Sequence, residues 1–370
     1  GTLRILSLEG GAVTVNDGGT LDCDVLLPGD LTLGSTTGGT LLVDPESGST
    51  LEVDVLTLNG VNTVLLPGSP SGPGTVEVIR YFTLNGDLTN FAYDPAEAAK
   101  LRNAPSFSDA VGAISLEFLA GETVTWTGAS SGDWDINTTA NWDNGAATNY
   151  YDLDSVVFGD SAAAKVVTLT ADVAPGATSF TNSTGNDYTV GGGFGITGGS
   201  LTKSGTGTVT LANTNSFTGP TAVDGGGLVL DYTAGGTPLA GTSEIAIAAG
   251  ATLRATHDDG DLALERPLSG EGTLVINPHA VAGTTERRFV ELTGDNSLFA
   301  GPLLLEAPLS GTWRLGAVGA TSLGSGPITV GDGAQLYTQA GQSYFNALTI
   351  TGEGAPDGNG PLGAMRLDNN

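Results

Sequence analysis

Positive charge is scarce in this chain. Its 370 residues include 12 Lys and Arg against 40 Asp and Glu, a formal charge of −28, with only 2 histidines. A surface this acidic repels phosphate, which excludes nucleic-acid binding, and it repels anionic membrane surfaces. Cysteine is nearly missing as well. Cys23 stands alone, so no intramolecular disulfide is available and packing must hold the fold. One cysteine does not by itself fix the compartment. Charged residues of both signs make up 14% of the chain, against about a quarter in an average globular domain. Neither a signal peptide nor a membrane span is expected, because the first residues already alternate as a strand and no charged start leads into an apolar core. There is no Gly-X-Y period, which excludes collagen, and regular apolar positions exclude disorder.

What is abundant is glycine, at 58 residues, together with Thr, Val and Leu in short alternating runs. Ala12-Val13-Thr14-Val15, Leu31-Thr32-Leu33, Thr40-Leu41-Leu42-Val43 and residues 51–58 each have the period of a half-buried strand, and Gly, Asn and Asp separate them. The composition therefore predicts an all-β fold of short Gly/Asn-punctuated strands. Only one segment reads as helical: Asp94 before Pro95 and a run of good helix formers predicts a short helical insertion near 94–104. A later part carries an internal echo. Residues 239–253 resemble 323–336, and Asn215-Ser216-Phe217 returns as Asn296-Ser297-Leu298-Phe299, giving a duplication of approximately 82 residues. Such a period fits roughly four windings of about twenty residues each. At about 4.8 Å per winding, the whole chain would form a rod of roughly 70 to 85 Å. A β-sandwich array is the competing architecture, since short strands at regular spacing also signal sandwiches.

Three of the four tryptophans, Trp126, Trp134 and Trp142, recur every eight residues in Thr125-Trp126-Thr127-Gly128, Gly132-Asp133-Trp134-Asp135 and Ala140-Asn141-Trp142-Asp143. This block, with residues 154–160 and the run Leu201-Thr202-Lys203-Ser204-Gly205-Thr206-Gly207-Thr208 followed by Asn215-Ser216-Phe217-Thr218-Gly219, resembles the autotransporter-associated β-strand repeat, or passenger-associated transport repeat, of bacterial surface proteins. The resemblance covers about residues 124–230 and is looser elsewhere. It implies an elongated right-handed parallel β-helix or solenoid, located outside the cell or on the outer surface of a bacterium. Its implied role is structural and without catalysis: a surface stalk, an adhesin, or a matrix or filament subunit. On this reading residues 1–123 are the tail of a preceding repeat unit and residues 124–370 a second unit opened by the tryptophan block. The chain then reads as a mature product or a fragment of a longer repeat protein. Its partners are itself or adjoining repeats through the solenoid ends, and surface glycans. No translocating barrel pattern is visible at the C-terminus.

Candidate sites are few. Asp133, Asp135, Asp143, Asp152 and Asp154, with Asp160 and neighbouring asparagines, crowd hard oxygen ligands into a short stretch and are candidates for calcium. They lack the spacing of known calcium loops, and Asp and Asn also build self-capped turns. No other cofactor is expected. Trp134 and Trp142 are candidates for stacking on sugar rings, against the alternative that they pack inside. For the alternative functions, a polysaccharide-active β-helix enzyme or a carbohydrate-binding surface module, Asp258 and Asp261 form one conceivable carboxylate pair. His257 and His279 have no nucleophile motif near them, and Gly191-Gly192-Gly193-Phe194-Gly195 lacks the Lys-Ser/Thr end of a phosphate loop and reads as a turn.

Overall fold

The computed structural model describes residues 1–5, 11–23, 29–44, 51–67, 72–110, 112–233, 235–257, 262–278, 287–306, 312–317, 319, 321–338, 343–354, 356–357, 360–361 and 363–367. The protein is all-β with parallel sheets. Among the described residues, helix is limited to one α-helical turn, Pro95–Ala98, and one 3-10 turn, Leu88–Asn90. Asp94 starts the α-helical turn by accepting from the Ala96 and Glu97 amides at 2.9 and 3.1 Å, and Pro95 follows, where its missing N–H costs nothing. The chain divides into two compact units, residues 1–122 with 151–154, and residues 123–150 with 155–370.

In the first unit the chain alternates between two sheets. One is a five-stranded sheet of Thr2–Ile5, Thr20–Cys23, Thr40–Leu42, Asn62–Leu65 and Phe91–Tyr93, parallel throughout. The other places Val13–Val15, Leu31–Leu33, Glu52–Leu58 and Gly74–Asn85 side by side in parallel. Leu21 pairs with Leu41, twenty residues on, so each strand lies beside the one from the previous passage. Ala113–Phe118 ends this ladder: it runs antiparallel to Gly74–Asn85 and to Ser106–Asp109, as a hairpin. Alternation sorts the side chains. In Leu31–Leu33 both leucines are buried while Thr32 is half-exposed, and each buried leucine contributes about 1.5–3 kcal/mol by leaving water.

The second unit repeats the scheme at greater length. Two ten-stranded sheets share its strands alternately: Ser155–Phe158, Ala177–Phe180, Ser200–Lys203, Thr221–Val223 and Ile245–Ile247 stack in one, and Val166–Leu169, Tyr188–Gly192, Thr208–Leu211, Gly227–Asp231 and Thr252–His257 in the other. All of these pairs are parallel and in simple register, such as Leu201 with Thr221 and Val209 with Leu228. Apolar ladders fill the interior, with Val156, Leu201, Val209, Leu228, Ile247 and Leu274 essentially closed to solvent. Glycine is required where successive turns nearly touch. Gly226 has φ +63°, and a Cβ there would overlap the Gly207 carbonyl oxygen, so only glycine fits.

From residue 262 a third sheet appears, containing Leu262–Leu264, Arg287–Leu292, Thr312–Ala317, Ala334–Thr338 and Met365–Leu367 in parallel order. The passage lengthens at the same place: Ser269 pairs with Leu298, twenty-nine residues on, whereas Leu201 and Thr221 are twenty apart. The extra residues form the added strand.

Candidate functional site at the tryptophan block

The sequence candidates cluster in residues 123–160, where the second unit begins. Thr123–Trp126 pairs in parallel with Ser155–Phe158 on one side and antiparallel with Trp142–Asp143 on the other, and Trp142–Asp143 pairs antiparallel with Ala147–Thr148. Asp133–Trp134 joins the other ten-stranded sheet beside Val166–Leu169. Antiparallel hairpins thus occupy the first edge of one parallel sheet and a two-residue strand the first edge of the other. Unpaired edges invite association with other chains, and this block covers both.

The eight-residue spacing brings the large rings to one place. Trp126 lies 5.0 Å from Trp142 at 73°, Trp134 lies 5.3 Å from Trp142 at 63°, and Tyr150, the next residue in the series, lies 5.4 Å from Trp134 at 88°. Phe158 touches all three indoles and stacks on Phe180 at 4.5 Å, and Tyr188 meets both phenylalanines edge-on. Edge-to-face and offset geometries of this kind are each worth about 0.5–1.5 kcal/mol beyond area burial. Trp126 donates Nε1–H to the Ala164 carbonyl at 2.8 Å, while the buried Trp134 Nε1 has no hydrogen-bond acceptor among the described residues.

Sugar stacking needs an exposed ring face. Trp134 is 0% and Trp142 1% exposed, so neither indole offers one, and the stacking candidate is corrected to core packing. The cause is the hairpin pairing, which folds the block back over its own aromatic residues.

The calcium candidates are likewise bound into turns. Asp133 accepts from Ser131 Oγ, Asp135 from the Thr139 amide and hydroxyl, and Asp143 from the Gly145 amide. Asp152 and Asp154 belong to the first unit. Asp152 is buried, and its amide donates to the Lys100 carbonyl. Asp154 is fully buried: it takes two hydrogen bonds from Arg102, at 2.7 and 2.9 Å, and accepts from the Glu122 and Tyr151 amides. Among the described residues no group of three or more His, Cys, Asp or Glu is placed to hold a metal ion. Asp133, Asp135, Asp143 and Asp154 do not fit a calcium site, because their oxygens answer backbone amides, hydroxyls and one guanidinium. His257 packs edge-on to Tyr232 at 6.2 Å. Asp258, Asp261 and His279 lie outside the described residues.

Asparagine does work that the sequence did not mark. Asn141 is buried, accepts from the Ser130 and Ser131 amides at 2.9 and 3.0 Å, and donates to the Asp133 carbonyl at 2.8 Å, tying the hairpins together. Asn215 accepts from the Ile196 amide of the previous passage at 2.9 Å and donates to the Pro238 carbonyl of the next at 3.2 Å. Asn296, eighty-one residues on, repeats this with the Leu268 amide and the Ser322 carbonyl. Both stand just before a buried phenylalanine, Phe217 and Phe299. The signal available was the repeated Asn-Ser-(Leu)-Phe itself.

Aspartates at the turns bridge passages in the same way. Asp160 accepts from the Ser183 amide and hydroxyl, both at 2.7 Å, and Asp17 accepts from the Ser35 hydroxyl and amide and from the Thr36 amide and hydroxyl; these bonds hold both carboxyls below the ordinary range. Lys203 is the reverse case. Its ammonium is buried and donates to the Gly205 and Gly225 carbonyls, one on each of two successive turns, and burial lowers its pKa.

Residues 201–230 match the Passenger-associated-transport-repeat family. The matched stretch holds two successive passages, with strands Ser200–Lys203 and Thr208–Leu211, then Thr221–Val223 and Gly227–Asp231. No curated protein and no solved structure matches the chain. With Lys203 joining those two passages from inside the match, the chain carries a passenger-associated transport repeat.

Proposed function

We propose that the protein is a structural part of a bacterial surface or secreted passenger, built as an elongated right-handed parallel β-helix and working without catalysis as a stalk, adhesin or filament subunit. The observation that carries this reading is the coincidence of the matched repeat with two stacked passages of a continuous parallel ladder. A ladder of this kind stacks each winding on its neighbours, so length grows by repetition and stability is the sum of local interfaces. The polar groups support the same reading. Buried Asn215 and Lys203 and the exposed Asp160 join one passage to the next instead of converging on a cleft. The family of the repeat is not an enzymatic one. Sheet edges beyond the terminal strands are the proposed contacts for adjoining repeats or a second copy, and head-to-tail contacts of that kind extend without closing.

Electron microscopy of the purified chain over a concentration series, with and without calcium, tests the assembly. Regular fibres whose axial repeat fits one chain support the filament reading, and isolated rods at every concentration restrict the function to a stalk or adhesin. Release of reducing ends from polysaccharide by the purified chain would overturn the non-catalytic reading.

A further inference from the structure

The strand Leu262–Leu264 opens the third sheet and pairs with Arg287–Leu292, and no described strand of that sheet lies on its other side. The same strand lines a cavity of about 370 Å³ in the second unit. Its walls are mainly apolar, including Leu230, Leu239, Leu253, Ala255, Leu262 and Leu264, with the Tyr232 ring, Thr237 and Glu265 also at the lining. A volume of this size lies within the range of small-ligand sites. A mainly apolar pocket with a few placed polar groups suits a guest that is apolar along its length and polar at one end.

One cation stands at this cavity. In a chain of charge −28, Arg4, Arg80, Arg102 and Arg254 each pair with a carboxylate. Arg266 lines the cavity, donates to the Ala240 carbonyl, and has no carboxylate in ion-pair range among the described residues. Its remaining N–H donors suit a planar anion, which a guanidinium binds bidentately. Glu265, also at the lining, is exposed.

We infer that this cavity binds a single-chain aliphatic carboxylate, with the hydrocarbon among Leu230, Leu253 and Leu262 and the carboxylate on Arg266. The site is independent of the structural role proposed above. The chain length follows from the wall: each methylene buried strengthens binding about fourfold until the cavity is full. A cavity of this volume admits one chain and not the two of a membrane lipid.

Calorimetric titration of the full chain tests this with octanoate, decanoate and dodecanoate, 1-dodecanol as a neutral probe, and dioctanoyl phosphatidylglycerol as a two-chain probe. The expected result is one site per chain, affinity rising with chain length, and no binding of the two-chain lipid. Arg266→Gln is expected to weaken dodecanoate at least tenfold and leave 1-dodecanol unchanged, which also reports that the cavity has kept its shape. Ala255→Phe, which fills the cavity, is expected to weaken both, with circular dichroism confirming the fold. Absence of dodecanoate binding, affinity indifferent to chain length, preference for the two-chain lipid, or equal loss of acid and alcohol on Arg266→Gln would each overturn the assignment.

Discussion

Replacing Trp142 by alanine separates an architectural indole from a ligand-binding one. Trp142 is 1% exposed and its ring contacts Trp126, Trp134, Phe158 and Tyr150 at centroid distances of 5.0, 5.3, 5.5 and 5.7 Å. Removing about 200 Å² of buried surface costs about 5 kcal/mol at 25 cal/mol per Å². Measured Trp→Ala costs in cores fall at about 3–5 kcal/mol, so about 4 kcal/mol is the working value. In a stacked fold this loss stays local, because each passage contacts only its neighbours. Hydrogen exchange on the full chain should therefore show amides in Thr123–Trp126 and Ser155–Phe158 opening about a thousandfold faster. Amides in Leu303–Leu305 and Ile328–Val330 should keep their protection. Trp142→Phe should lose less, since it keeps a ring in the cluster. Unchanged protection in Thr123–Trp126 would refute the reasoning, and so would loss of glycan binding in a variant of undiminished stability.

Asn215→Ala should cost about 2–6 kcal/mol, because it strands the buried Ile196 amide and the Pro238 carbonyl, each worth about 1–3 kcal/mol when unsatisfied; urea unfolding followed at Ile196 by hydrogen exchange checks this. Lys203→Ala should destabilise through a cavity and two stranded carbonyls, whereas Lys203→Met fills the space and removes the desolvated charge; thermal melts should rank Met above Ala, and the reverse order would count against the burial argument. Acid should weaken the fold late. Asp17, Asp87, Asp160 and Asp295 have folded pKa values lowered by hydrogen bonds, so the unfolded chain binds more protons as pH drops. Their contribution is full above about pH 4, where the unfolded carboxyls titrate, and is lost only as pH falls through the lower folded values; melts between pH 7 and 2 should show it, with Asp160→Asn flattening the slope. At the other end, burial raises Tyr93 and Tyr188, so their contribution is present below about pH 10 and lost as pH rises through the higher folded values; alkaline melts of Tyr188→Phe against the parent chain measure that share.

Much of this architecture is legible in single residues. Alternation in Val13-Thr14-Val15 and Leu31-Thr32-Leu33 specifies strands with one buried face, and the structure makes them parallel neighbours. The tryptophan spacing is equally plain, but its consequence is not. Period eight says that Trp126, Trp134 and Trp142 are equivalent, and only the antiparallel pairing of Thr123–Trp126 with Trp142–Asp143 says that they close a sheet edge and turn inward. Clustered aspartates look alike whether they hold an ion or cap turns, since both uses need oxygen near a tight bend; the partners of Asp135 and Asp154 decide it. Lys203 and Asn215 are polar letters in an apolar repeat, and their burial depends on carbonyls and amides a passage away. The third sheet left no mark either, because Leu262-Ala263-Leu264 has the same alternation as strands of the other two.

The most direct test of the central claim is a cryo-electron microscopy map of the native chain. The expected map shows strands stacked at about 4.8 Å within each unit, with the rings of Trp126, Trp134 and Trp142 enclosed at the first edge of the second unit. Strands packed face to face as a sandwich without that axial spacing, or indoles lying open along a solvent-filled cleft, would contradict it.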